Sequence, residues 1–220
     1  MIIKKFHHSC ILLEENNKRL LIDPGYFSFI DGDVTTADIG PVDAIVITHA
    51  HQDHYYPKAL KEFRAMQSTP IITHEEIGTT LKNDEGISYE RIEAGAVYTI
   101  AGFTIEAFSA PHEALPVDVP HNLAYRFNKT FLHAGDSLHV STDARADILA
   151  LPVAGPWMNI NQGLDYARRL KPKVAIPIHD WITKPFMLDR IYQMSQGVLE
   201  REGIQFWALK KGEAYTSALH

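Results

Sequence analysis

The chain has 220 residues, 45% of them hydrophobic and 22% charged, with a formal net charge of −6. That length buries a full core in one domain spanning 1–220, and the composition is that of an ordinary globular protein. An acidic balance disfavours nucleic acid, whose backbone calls for basic patches, so a small-molecule substrate is the expected partner.

The opening residues read as strands at 2–6, 10–14, 19–23 and 44–48. The segment Glu14-Glu15-Asn16-Asn17-Lys18 is a hairpin loop, since Asn suits the backbone angles of such turns. A helix is predicted over 57–66, starting at Pro57 because proline is tolerated in the first turn. A short strand at 71–73 and a helix from 74 or 75 to about 82 follow. Hairpins are expected at 97–100 with 103–109, around Ala101-Gly102, and at 123–127 with 130–133, around Asn128-Lys129. The order then shifts to strand 148–153, helix 162–170, strand 174–178 and helix 186–200, ending with strands at 205–208 and 213–216. Strands first and strand–helix alternation afterwards argue for an α/β (α+β) protein whose sheets are covered by helices.

The most informative segment is His49-Ala50-His51-Gln52-Asp53-His54, which leaves the apolar run 43–48. Neutral imidazole and ionised carboxylate are good ligands for zinc and similar ions. Side chains alternate along an extended segment, so His49 and His51 can grip one ion. Asp53 and His54, beyond the turn, are placed for a second. Three more candidates follow apolar runs of strand length: His112 after 103–109, Asp136 after 130–133, and His179 after 174–178. Asp23, before Pro24, reads equally as a turn residue, and His8 reads as a structural histidine or a substrate contact. Trp157 and Trp181 offer an apolar wall to a substrate, with core packing the competing role. Arg126, Arg145 and Lys184 are the cations available to a phosphate, or simply solvated charges. Histidines 7, 74, 121, 133, 139 and 220 have no assigned role.

Taken together, His8-Ser9-Cys10, Leu20-Leu21-Ile22-Asp23-Pro24, Thr48 to His54, His133-Ala134-Gly135-Asp136, 151–156 and Ile176-Pro177-Ile178-His179 resemble the metallo-β-lactamase superfamily of metal-dependent hydrolases. The resemblance is nearest to its small stand-alone members, among them ascorbate-phosphate lactonases. It implies a four-layer αββα sandwich, which periodicity alone does not give. It also implies one metal at His49, His51 and His112, a second at Asp53, His54 and His179, and Asp136 bridging the two. Asp23 would then orient a ligating histidine through its other N–H. Zinc is the expected ion, with manganese or iron(II) next.

A divalent ion lowers the pKa of bound water towards ~7 and provides hydroxide at neutral pH. The expected reaction is hydrolysis of an ester-like bond, whether lactone, carboxylic ester or phosphoester, with Asp53 or Asp136 relaying a proton. A nuclease or thioesterase on the same scaffold is an alternative, and so is a module whose metals only stabilise the fold. A di-iron redox role is disfavoured, because relatives with that chemistry usually carry Glu at the position of His51. Met1 to Lys5 shows no secretory pattern, and the longest apolar stretch, 148–158, is too short for a bilayer, so no membrane association is expected. The lone Cys10 reads as a small buried hydrophobe and makes the cytoplasm the expected compartment. A homo-oligomer is suggested only by analogy with relatives.

Overall fold

The computed structural model describes residues 1–209 and 211–217, so His220 lies outside the described residues. The chain starts with β1 (Ile2–Lys5), β2 (Ile11–Glu15) and β3 (Lys18–Ile22), paired antiparallel in sequence order. Asn16 and Asn17, at φ 50° and 60°, form the turn between β2 and β3. Two consecutive left-handed residues give a twist that matches the hairpin, which explains the asparagine pair. A short helix α1 (Thr36–Ile39) precedes β4 (Ala44–Val46), followed by α2 (Pro57–Met66), β5 (Ile71–Thr73), α3 (Glu75–Asp84) and β6 (Glu90–Arg91). From β3 to β6 the pairing is parallel.

The second sheet repeats this plan. β7 (Val97–Ile100), β8 (Phe103–Ser109), β9 (Leu123–Phe127) and β10 (Phe131–His133) pair antiparallel. Then β11 (Ile148–Pro152), α4 (Ile160–Leu170), β12 (Val174–Ile178), α5 (Pro185–Leu199) and β13 (Gln205–Phe206) continue it in parallel. The last strand, β14 (Ala214–Thr216), returns to the first sheet and pairs antiparallel with β1. Among the described residues each sheet has seven strands, and the two carry the same meander-then-crossover order although the sequence shows no repeat.

Three apolar layers hold the sandwich. Ile3, Leu13, Leu20, Phe103, Tyr125, Phe127 and Ile176 meet between the sheets. Leu60, Phe63, Ile77 and Leu81 cover the outer face of the first sheet at Ile45 and Ile71. Leu164, Ala167, Leu170 and Leu199 cover the second at Leu149 and Ala175. This is the helix–sheet–sheet–helix arrangement that the family resemblance implies. β4, β5, β11 and β12 are buried on both faces and read as unbroken apolar runs, as parallel strands between layers must. Among the described residues no helix is long and apolar enough to cross a membrane.

The differences from the sequence reading have local causes. The strand expected over 44–48 ends at Val46, because Thr48 turns to bond Asp23. α4 begins two residues before the expected 162, where Asn159 and Gln162 form a reciprocal capping box. α1 and β6 were not foreseen: one is a four-residue turn capped by Thr35 and Asp38, the other two exposed polar residues without an apolar pattern. Since Phe63 is fully buried between α2 and the sheet, Phe63→Ala should cost about 3–5 kcal/mol of stability. Urea denaturation checks this, and a loss below about 1 kcal/mol would mean that the layer collapses around the gap.

Candidate metal centre

Several strand ends deliver side chains to one place. His8 follows β1, Asp23 follows β3, the 48–54 loop follows β4, and His112, Asp136 and His179 follow β8, β10 and β12. His8, Asp23 and His179 adopt left-handed backbone at φ 59°, 46° and 62°. Such angles cost a residue with a Cβ roughly 1–2 kcal/mol, and they persist where the surroundings fix them. Two glycines allow the loops to close in. A Cβ on Gly25 would lie 1.8 Å from the Asp53 carbonyl oxygen, and one on Gly135, at φ +55°, 2.1 Å from Asn122 Oδ1.

Two groups of four result. In one, ligand atoms of His49, His51, His112 and Asp136 all lie within 4.8 Å of one another; in the other, those of His8, Asp53, His54 and His179 do. Asp136 stands between the groups. Its Oδ1 is 3.0 Å from His54 Nε2, and its Oδ2 is 3.2 Å from His179 Nε2 and 3.5 Å from His112 Nε2. The seven residues proposed from the sequence are therefore brought together, and His8 joins them. His8 Nε2 donates to Asp53 Oδ2 at 2.9 Å, and its ring centre is 4.0 Å from that of His179.

Each aligned imidazole is held from behind. His54 Nδ1 donates to Asp23 at 2.7 Å, His112 Nδ1 to the Glu113 carbonyl at 2.6 Å, and His179 Nδ1 to the Ala154 carbonyl at 2.7 Å. Thr48 Oγ1 spends its proton on Asp23 at 2.6 Å, so it accepts from His49 Nδ1 at 3.0 Å. All four rings thus turn Nε2 towards the cluster. His49 Nε2 is buried without a hydrogen-bond partner among the described residues, and His112 Nε2 faces His51 Nδ1 at 3.1 Å. A buried nitrogen left without a partner, as at His49, costs free energy, and a divalent cation satisfies it. The donor set, imidazoles with carboxylates and no thiolate, suits zinc, manganese or iron.

The electrostatics agree with that fit. Burial opposes a charged His179, but Asp136 and Asp53 outweigh it and raise the ring to about 9. His54 lies well above its ordinary value, burial being overcome by Asp136, Asp53 and Asp23. Burial pushes Asp53 and Asp136 up, yet His54 for the first, and His179 with His54 for the second, hold both below the usual carboxylate range. Burial, then neighbouring imidazoles, lower His49, His51 and His8, the last to about 4. Without metal, two imidazolium protons therefore carry the positive charge that the carboxylates demand.

Around this centre the remaining candidates separate. Trp157 packs in the outer core and donates its indole N–H to Asp136 Oδ2 at 3.0 Å. Trp181 faces a neighbouring cavity, its ring 4.5 Å from His7. Arg126 is engaged by Glu106 and by the carbonyls of Asp143 and Arg145, and Arg145 donates to the Arg169 carbonyl, so neither faces the cluster. Lys184 caps α5 beside the cavity. His133 bonds the Ser9 carbonyl and accepts from Gly135 N–H, a backbone role. The sequence reading assigned no role to Thr48. Its place directly before His49 was the only signal, and the Ala154 and Glu113 carbonyls left none.

A histidine–carboxylate cluster at the strand ends of an αββα sandwich defines the class, a metal-dependent hydrolase of the metallo-β-lactamase fold. The chain belongs to the metallo-β-lactamase superfamily, the profile of the Beta-lactamase superfamily domain matching residues 2–179. A Mycobacterium tuberculosis protein is 31% identical over 196 residues, 84% of this chain and 86% of its own. A metal-dependent hydrolase of Nanoarchaeum equitans is 30% identical over 231 residues, 97% of this chain and 98% of its own. In fold, a metallo hydrolase from the hyperthermophilic archaeon Ignicoccus hospitalis superposes with a TM-score of 0.78 at 23% identity, covering 100% of this chain and 99% of the other.

The raised histidines give the metal-free protein a pH signature. A group whose pKa rises on folding stabilises the fold below its unfolded value and loses that contribution as pH climbs through the folded value. For His179 the window runs from 6.5 to about 9, with His54 acting in the same sense. The depressed carboxylates and the lowered imidazoles have already made their contribution above 6.5. Chelator-treated protein should therefore melt at progressively lower temperature from pH 6.5 to pH 9, and a flat profile would contradict these charges.

Proposed function

We propose that this chain hydrolyses an ester-like bond in a small molecule, a lactone, carboxylic ester or phosphoester, at a centre of two divalent ions. His49, His51 and His112 would hold one, Asp53, His54 and His179 the other, and Asp136 would be shared. Zinc suits the set best, then manganese or iron(II). The observation that carries this reading is the buried His49 Nε2, without a partner among the described residues, beside the opposed His112 Nε2 and His51 Nδ1. A purely structural site closes with four protein ligands. Seven protein ligands shared between two ions would be fewer than four apiece, which leaves an open position for water or substrate.

Bound ions of this kind supply water activated at neutral pH and polarise the bond under attack. The chain's own residues do the rest. Asp23, Thr48 and the carbonyls of Glu113 and Ala154 fix the imidazoles, so their nitrogens do not reorganise during the reaction. Trp157 pins Asp136 between the groups. Asp53 relays a proton at the carboxylate that His8 Nε2–H contacts, and His8 Nδ1 has no other partner among the described residues. Water adds across the scissile bond, giving an acid and an alcohol. The buried thiol of Cys10, the only cysteine, accords with a cytoplasmic setting.

Elemental analysis of protein purified without added metal, followed by turnover of generic esters, lactones and a nitrophenyl phosphodiester with the metal found, tests the proposal. His51→Ala should release much of the metal and abolish turnover; full activity in that variant would refute the assignment. Trp157→Phe, which keeps an aromatic ring but no N–H, should retain the metal and lower kcat about tenfold. Unchanged kcat in this second variant would show that Asp136 needs no anchor.

A further inference from the structure

β9 lies between β8 and β10 and runs antiparallel to both, so it begins where the other two leave the sheet. The last pairs at that end are Ser109 with Leu123 and His133 with Tyr125. Beyond them Ala110 and Ala134 are buried, and a buried carbonyl that has left its ladder still needs a donor. Asn122, the residue before β9, serves both. Its Nδ2 donates to the Ala110 carbonyl at 2.7 Å and to the Ala134 carbonyl at 2.9 Å. The next residue adds a third link, Leu123 N–H donating to the Thr48 carbonyl at 3.2 Å.

Each carbonyl held by Asn122 stands two residues ahead of a proposed ligand. Ala110 precedes His112 and Ala134 precedes Asp136, and the Nε2 and Oδ2 of those ligands are 3.5 Å apart. A primary amide is suited to this place because one nitrogen carries two donors. An asparagine kept for its local turn would use Oδ1 to accept from a nearby backbone N–H. Here Oδ1 is buried without a hydrogen-bond partner among the described residues, while both acceptors of Nδ2 lie twelve residues away. The side chain therefore works across strands.

We propose that Asn122 is a positioning residue of the metal centre. Its amide sets the spacing of His112 and Asp136, and with it the affinity of the group His49, His51, His112 and Asp136 for a divalent ion. The inference rests on reading the cluster as a metal centre, and ion binding tests it without any turnover.

The test is a competition titration of zinc against a chromophoric chelator, with wild type, Asn122→Leu and Asn122→Ala. Leucine keeps the size of the side chain without its donors, and alanine removes both size and donors. Zinc affinity should fall about ten- to a hundredfold in each. Cobalt(II) in place of zinc reads the geometry, and its visible absorption should change in both variants. Phe63→Ala is the destabilised control, its cost falling in the layer outside the first sheet, and should match wild type in affinity and spectrum. In nitrogen-15-labelled wild type, the Asn122 side-chain amide protons should exchange with solvent far more slowly than those of the exposed Asn161, a reading that needs no variant to fold. Zinc affinity and cobalt spectrum unchanged in the Asn122 variants would overturn the inference and leave the metal centre standing. So would a loss matched by Phe63→Ala, or Asn122 protons that exchange as fast as those of Asn161. Wild type that binds no divalent ion would instead overturn the metal centre itself.

Discussion

The Asp23 carboxylate is completely buried and accepts from Thr48 N–H, Thr48 Oγ1 and His54 Nδ1. Removing a carboxylate from water costs several kcal/mol unless its lone pairs are filled by well-placed donors. Here the donors come from the 48–54 loop that carries the histidine cluster. The same contact that stabilises the charge therefore fixes where β4 ends and how His54 points. His49 follows through Thr48, whose single hydroxyl proton is committed to Asp23. One buried anion sets the orientation of two imidazoles and the exit path of the loop.

The apolar layers let this polar core be expensive. Between the sheets Tyr125 and Phe127 pack with residues of both halves, so the strand ends are held in register by burial and not by the cluster. The repeated meander-then-crossover plan brings chain exits from both sheets to one edge. Left-handed backbone at His8, Asp23 and His179 is tolerated because each residue follows a strand locked on both flanks. Close approach at Gly25 completes the arrangement, since any side chain there would occupy the space of the Asp53 backbone.

Much of this was legible in the residues and some was not. The H-x-H-x-D-H run announced a metal centre because that donor density is improbable by chance, and apolar runs of strand length located His112, Asp136 and His179. Turns were readable at Asn16-Asn17 and Ala101-Gly102, where positive φ selects the residue type. Layer number came from family resemblance alone, since burial on both faces looks the same in several architectures. The anchoring carbonyls of Glu113 and Ala154 leave no mark in sequence, because every residue has one. His8 stayed ambiguous for a related reason: its place in the cluster depends on β1 lying opposite β12, a long-range fact that no local pattern encodes.

The opposition of β1 and β12 also sets a cavity next to the cluster along the chain. Each strand leads into a residue of the cluster, His8 or His179, next to residues that line the cavity. In extended or tightly turned chain, neighbouring side chains point to different sides, so two short segments serve both the cluster and the cavity. A change at Trp181 or His7 can reshape the cavity without displacing a nitrogen of the cluster, whose rings are fixed from behind by Asp23, Thr48 and main-chain oxygens. The Lys5–Asp180–Tyr192 network joins the two, because Asp180 follows His179 along the chain and accepts from Lys5 and Tyr192 in the cavity lining. The lining of the cavity can then vary on this scaffold while the geometry of the cluster stays constant.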